Sequence, residues 1–246
     1  MQFAIPLSSI WSEPLTNVGP PVLDPLETGD QLTRGEFLRR LDAVPEEERA
    51  ELIEGIVFMA AAVRHPQHGR PQRLLIAWLD RYIEATPGSD GGLNATVVLD
   101  EDNVPQPDAY LLLPSEVGGQ CQVVEAGYLE GPPALVAEVS ASTKSIDLHL
   151  KFQAYRRNGI SEYIVWRVRD KAIDWFVLQD GDYQLLPPDA DGILKSRICP
   201  GLWLDPVALV KRRTKRVQEV LELGMATPEY REFAKRVAQF ATPEEE

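Results

Sequence analysis

One short run limits this chain more than any other. Residues 134–140 read ALVAEVS, an apolar strand with a single carboxylate near its centre. A continuous apolar run of this length suits a strand covered on both faces, in the interior of a sheet flanked by helices. Strand side chains alternate, so Glu138 and Ser140 share one face while Leu135, Ala137 and Val139 share the other. A carboxylate held there costs several kcal/mol unless it is paired or binds a cation. Asp108 opens a second apolar strand, PDAYLLL at 107–113. Two acids on neighbouring buried strands repel each other, and a hard divalent cation resolves the conflict. Mg²⁺, or Mn²⁺ in its place, takes oxygen ligands and is commonly held by one or two carboxylates plus waters. Such an ion lowers the pKa of a bound water and clamps a phosphate oxygen, which is the chemistry of phosphodiester hydrolysis.

The rest of the chain supplies the elements around these strands. Residues 1–30 carry five prolines and little periodicity, which implies an irregular arm. Thr33 and Glu36 form a T-x-x-E capping box, so a helix is expected over 33–42. PEEERAEL is expected to add a helical turn. In ELIEGIVFM, Gly55 separates two apolar stretches and suits a turn between strands. Leu74, Leu75, Trp78, Leu79, Tyr82 and Ile83 make a helical stripe that Pro87-Gly88 ends. A strand is expected at 93–99. SIDLHLKFQAYRRNG reads as a helix ending at Gly159, and EYIVWRV, KAIDWFVL and DYQLLP as three more strands. Asp180-Gly181 signals a hairpin. A domain over 31–208 and a helical extension over 209–246 follow. The fold class is α/β, a mixed central sheet with helices on its faces.

Composition narrows the setting. With 44% hydrophobic and 26% charged residues in 246, the chain is globular rather than disordered. No apolar run approaches the roughly 20 residues of a membrane helix, so no membrane partner is expected. Two cysteines are too few for a disulfide framework. MQFAIPLSSIWSEP lacks a basic segment ahead of an apolar one and does not read as a secretion signal, so the cytoplasm is the expected compartment. The net charge of −13 opposes tight non-specific DNA binding. Any nucleic-acid role therefore needs a local basic patch, a metal or a partner. KRRTKR at 211–216 could track a DNA backbone or simply form a solvated helix face.

PQPDAYLLLP and LVAEVSASTKSIDLHLKFQAYRRNGISEYIVWRV together resemble the restriction-endonuclease family Uma-two, within the PD-(D/E)XK nuclease superfamily. ELIEGIVFM and the HPQH-to-helix stretch are similar to the same family, and the likeness spans about residues 33–208. It implies a restriction-endonuclease-like core and Mg²⁺- or Mn²⁺-dependent endonuclease activity on DNA, expected to be duplex. Asp108 then matches the aspartate of the PD motif and Glu138 the acid of E-x-K. The third position is Ser140 rather than lysine. Lys151 is the favoured replacement, with Lys144 in the preceding loop as the alternative. Asp147, Lys151 and Tyr155 are spaced i, i+4, i+8 on one helix face. Glu54 matches an acidic position able to assist the metal, and His68 a histidine that starts a helix.

Each residue also has a structural role open to it. Asp108 could cap a turn. Asp147 and Lys151 could be a solvated ion pair worth only ~0.3–0.5 kcal/mol. Tyr155 could be core, and Glu54 a solvated turn residue. A homodimer, common among enzymes that cut both strands, could pair through Trp175 and Phe176, although a place in the core suits them better. The rival to an endonuclease is an inactive nuclease-fold binding or assembly module, because folds host many functions.

Overall fold

The computed structural model describes residues 24–43, 45, 49–59, 65–125, 127–141 and 146–241. Most of the expected irregular arm, Lys144 and the acidic C-terminal end lie outside these residues.

A six-stranded mixed sheet organises the chain. Its strands are β3 (Asp90–Gly92), β5 (Ala109–Leu112), β8 (Leu135–Ser140), β9 (Glu162–Arg167), β10 (Ala172–Gln179) and β11 (Asp182–Leu185), in the order β11-β10-β9-β8-β5-β3. Only β8 and β9 run parallel; the other pairs are antiparallel. The short strands β4 (Val97–Val98), β6 (Gln122–Val123) and β7 (Leu129–Glu130) form a separate three-stranded sheet. The strand expected over 93–99 is thus confined to two residues.

All six residues of β8 are buried, as an interior strand requires. Leu135, Ala137 and Val139 face a core built with α2 (Arg70–Glu84), α4 (Pro206–Val210), α5 (Thr214–Met225) and α6 (Pro228–Val237). Val136 faces the opposite core, with Tyr155 of α3 (Lys151–Arg157), Ile160, Tyr163 and Tyr183. Glu138 alternates onto this second face. The parallel β8–β9 pair needs a crossover, and α3 supplies it. Gly159, at φ +81°, takes the left-handed conformation that ends the crossover helix. Val217, Leu221, Tyr230, Phe233 and Val237 place the C-terminal helices in the same core as α2.

A third core lies under the hairpin of β1 (Ala50–Ile53) and β2 (Ile56–Met59), where Phe37 of α1 (Arg34–Leu41) meets Leu52, Val57 and Val104. Glu54 and Gly55 make the turn, both at positive φ. Ala50, Glu51 and Leu52 are strand rather than the expected helical turn, because Leu52 exchanges backbone hydrogen bonds with Val104 and is wholly buried. The capping box is half formed. Thr33 accepts from the Glu36 N–H, while the Glu36 carboxylate turns instead to Arg39 and Arg40.

Candidate active site

The ladder between β5 and β8 pairs Ala109 with Ala137. One step further along that register, Asp108 stands across from Glu138 on the face toward α3. Asp108 is held from three directions. The Val139 N–H donates to its Oδ2 at 2.7 Å, and Gln72 Nε2 donates to its Oδ1 at 3.1 Å. His68 Nε2 lies 3.1 Å from the same Oδ1. Burial lowers the His68 pKa and nearby Arg49 lowers it further, so the ring is neutral and Nε2 is assigned as the N–H that donates to Asp108. Its Nδ1 is buried with no hydrogen-bond partner among the described residues.

Glu138 meets α3. Its Oε1 accepts from Lys151 Nζ at 2.8 Å and from the Tyr155 hydroxyl at 2.9 Å. Lys151 Nζ also lies 2.7 Å from Oε1 of Glu51, which itself accepts the Gln106 N–H at 2.6 Å. The spacing of Lys151 and Tyr155 along one helix face brings both groups to one carboxylate oxygen. Tyr155 packs edge-on against Tyr163, with ring centroids 5.0 Å apart, which fixes its hydroxyl.

Sequence reasoning missed Glu51. The signal was present: Glu51 sits between Ala50 and Leu52 in a strand, the same pattern that singled out Glu138. Glu54 goes elsewhere. It occupies the exposed turn and its Oε1 pairs with Arg157 at 2.7 Å. Asp147 is buried near the cluster, but the ion-pair partners of Lys151 are Glu51 and Glu138. Asp147 still raises the Lys151 pKa through its charge. Residues Ile146–Leu150 form a π-helical turn, which breaks the i, i+4 stacking assumed for Asp147 and Lys151. A second π-helical turn, His65–Gly69, carries His68 into α2. Ser140 is buried on the Glu138 face and its Oγ has no partner among the described residues. His65 lies 3.4 Å from Arg70 through its Nε2, and His149 is exposed.

Electrostatics follows from an excess of acid. Glu51 and Glu138 share one ammonium, and buried Asp108 and Asp147 lie within its electrostatic reach. Burial raises the Asp108 pKa to about 7, against the lowering effects of the Val139 N–H and Lys151. Burial also raises Glu138 well above the usual carboxylate range, with Lys151 opposing it. Burial opposes the charge on Lys151, but Glu138 and Glu51 outweigh it and hold the ammonium protonated. Tyr155 is likewise raised by burial and stays a donor.

A stability prediction follows. The unfolded aspartate loses its proton near 3.8 and the folded one near 7. Between those values the folded state binds more protons, so stability falls as pH rises. Asp108→Asn is expected to raise stability at pH 8 by about 1–3 kcal/mol and to leave it nearly unchanged at pH 3.5. Urea unfolding at both pH values measures this; a loss at pH 8 would contradict it.

Does this donor set fit a divalent ion? The donors are hard oxygens, the acid excess is buried, Glu138 Oε2 stands outside the contacts made by Oε1, and Ser140 Oγ is an orphaned polar atom beside it. Among the described residues, no three His, Cys, Asp or Glu side chains are grouped so as to hold a metal ion. Mg²⁺ needs only one or two carboxylates, so the residues fit it in kind.

The family model described as "Uma2: Putative restriction endonuclease" matches residues 35–207. The chain belongs to this family. The Uma2 match covers α1 through the start of α4 and includes every residue of the acidic cluster. A crystal structure titled as a putative nuclease belonging to DUF820, from Anabaena variabilis, is 16% identical. It covers 73% of this chain and 99% of its own, with a TM-score of 0.56, so the two share a fold. No curated protein matches the chain. No helix of the described residues is long and apolar enough to cross a membrane.

Proposed function

We propose that this Uma2 chain is a metal-dependent endonuclease that hydrolyses phosphodiester bonds of DNA. The observation that carries the reading is the surplus of acid at one place: buried Asp108 and Glu138 on two interior strands, and half-buried Glu51, which shares Lys151 with Glu138. Asp108 and Glu138 would hold Mg²⁺ or Mn²⁺, with Glu51 taking the assisting place first expected of Glu54. When bound, that ion supplies an activated water and charge stabilisation at the phosphate.

The remaining work belongs to side chains. Lys151, kept protonated by its acidic partners, places a fixed positive charge where negative charge grows in the transition state. Tyr155 orients Glu138 through its Oε1, and the Val139 N–H and Gln72 orient Asp108. His68 Nδ1 is a bare acceptor within the same cluster and can take a proton from water. The test is cleavage of plasmid DNA in Mg²⁺ or Mn²⁺. Wild type is expected to cut; Asp108→Ala and Glu138→Ala are expected to be silent, and chelation with EDTA to stop the reaction. Equal cutting by all three proteins would identify a contaminant and overturn the reading.

One observation favours a second reading, an inactive binding module. Lys151 already pairs with both Glu138 and Glu51, so the acids are partly satisfied without metal. Calorimetry separates the two readings. Saturable Mn²⁺ binding lost in Asp108→Ala supports the enzyme, and no binding at millimolar metal supports the module.

A further inference from the structure

Three basic segments are exposed, and two of them adjoin the end of the sheet that carries the acidic cluster. The first is the start of α2, where Gln72 touches Asp108 and the adjoining Arg73 is exposed. From there α2 runs away from the site. Tyr82, near its far end, donates to the Pro200 carbonyl, and the carbonyl of Ala85 just beyond accepts from Tyr230. The second is the β9–β10 turn. The Val168 N–H donates to the Ser140 carbonyl, which sets exposed Arg169 and Lys171 beside the strand end that bears Glu138.

The third segment is KRRTKR. Helix α5 packs against α2, and its last turn lies at the far end of the molecule. A Cβ on Gly224 would lie 2.3 Å from the Gly201 carbonyl oxygen, and a Cβ on Gly201 would strike Tyr230, the residue bonded to Ala85. At 1.5 Å per residue, the start of the 12-residue α5 stands roughly 16–18 Å from that last turn. Residues 211–216, all six exposed, sit at the start of α5, away from that last turn. They are not a loose tail. Arg212 takes φ +59°, and Arg212 N and Arg213 N donate to Leu209 O and Ala208 O, so the turn is built.

We propose that this basic rim is a docking surface for the phosphate backbone of nucleic acid, which it delivers to the acidic cluster. The inference rests on the nuclease reading above and names the surface that reading lacks. On a chain of net charge −13, a polyanion needs a local patch to approach at all. Arg73, Arg169, Lys171, Lys211, Arg212 and Arg213 have no ion-pair partner among the described residues, whereas the acids nearby are taken. Asp205 pairs with Arg216, Glu219 with Lys215, and Asp170 and Asp174 with Arg167. Unpaired like charges held together in ordered turns repel until an anion arrives. Residues 211–216 also lie outside the stretch matched by the family model, so this part of the rim is a feature of the chain's own extension.

The test is fluorescence anisotropy of a labelled duplex oligonucleotide with the full chain in EDTA, where binding is read without cleavage. Arg212→Glu/Arg213→Glu and Arg169→Glu/Lys171→Glu are each compared with Arg231→Glu/Lys235→Glu. That control makes the same change in net charge on exposed positions of α6, at the opposite end. Each rim pair is expected to weaken binding about tenfold or more and to reduce the slope of log K against log salt by about two. The control is expected to stay within about threefold of wild type. Equal weakening by the control, no effect of the rim pairs, or no binding by wild type at 20 mM salt (roughly the low-salt regime where phosphate contacts are strongest) would each overturn the proposal. Because no metal is present, a protein that binds through the rim but never cuts refutes only the nuclease reading. A protein whose cutting ignores the reversals refutes only the rim.

Discussion

Replacing Lys151 with methionine is expected to destabilise the protein by about 3–5 kcal/mol. Methionine preserves most of the side-chain length and the apolar stem, so lost packing is small. What is lost is the ammonium that lies 2.8 Å from Glu138 and 2.7 Å from Glu51, deep in the fold. Removing the ammonium forces Glu138 either to stay charged in a low-dielectric interior or to take up a proton, and that cost exceeds the net worth of the pair. The loss is a large share of the roughly 5–15 kcal/mol that holds a domain folded. The double variant Lys151→Met/Glu138→Gln is therefore expected to recover more than half of it, since Glu138 then needs no counter-charge and Tyr155 can still donate to the amide oxygen. Urea midpoints of the four proteins close the cycle. The double variant should remain unable to cut DNA, which separates a folding defect from a chemical one. A Lys151→Met chain as stable as wild type would mean that the cluster does not depend on this charge.

The same lysine shows how far the sequence could be read. Strand alternation placed Glu138 opposite Leu135, Ala137 and Val139, and apolar patterning buried the strand; both hold residue by residue. Helical spacing put Lys151 and Tyr155 on one face, and they share one oxygen of Glu138. These features depend only on neighbours along the chain. The misreadings have the opposite character. Glu51 joins the cluster because Leu52 pairs with Val104, a contact across about fifty residues; its local pattern resembled that of Glu138, but its place beside Lys151 is set by that distant pairing. Glu54 was attractive beside Gly55, yet it sits at the tip of the hairpin, where Arg157 reaches it. Asp147 is buried within electrostatic reach of Lys151 and Glu138, but the π-helical turn that carries it is invisible to a 3.6-residue template.

Glu162 is a second buried acid whose role is opposite to that of Glu138, and Glu162→Leu is expected to cost about 3–5 kcal/mol. The carboxylate opens β9 and is fully buried. It accepts from Trp175 Nε1 at 3.0 Å, Ser196 Oγ at 2.9 Å, Arg197 N at 2.6 Å and Ile198 N at 3.3 Å. It thereby pins the 196–199 loop against the sheet, and Cys199 N in turn bonds Ser196 Oγ. Leucine fills similar space but orphans four donors at once, two of them backbone. Glu162→Gln keeps one strong acceptor and is expected to lose only about 1–2 kcal/mol. Burial raises the Glu162 pKa to about 6, against the lowering pull of those four donors. The folded state thus binds more protons than the unfolded one between 4.5 and 6, and stability declines as pH rises across that interval. Glu162→Gln removes this slope, so the gap between it and wild type should be widest near pH 4.5 and narrow toward pH 7. The decisive contrast lies with metal. Four fixed donors leave Glu162 no claim on a cation, whereas Glu138 has two donors and acidic neighbours. Glu162→Gln should therefore bind Mn²⁺ in a calorimeter as wild type does, while Glu138→Gln should not. If both variants lost metal equally, the difference in donor count would not be what separates a structural carboxylate from a catalytic one in this fold.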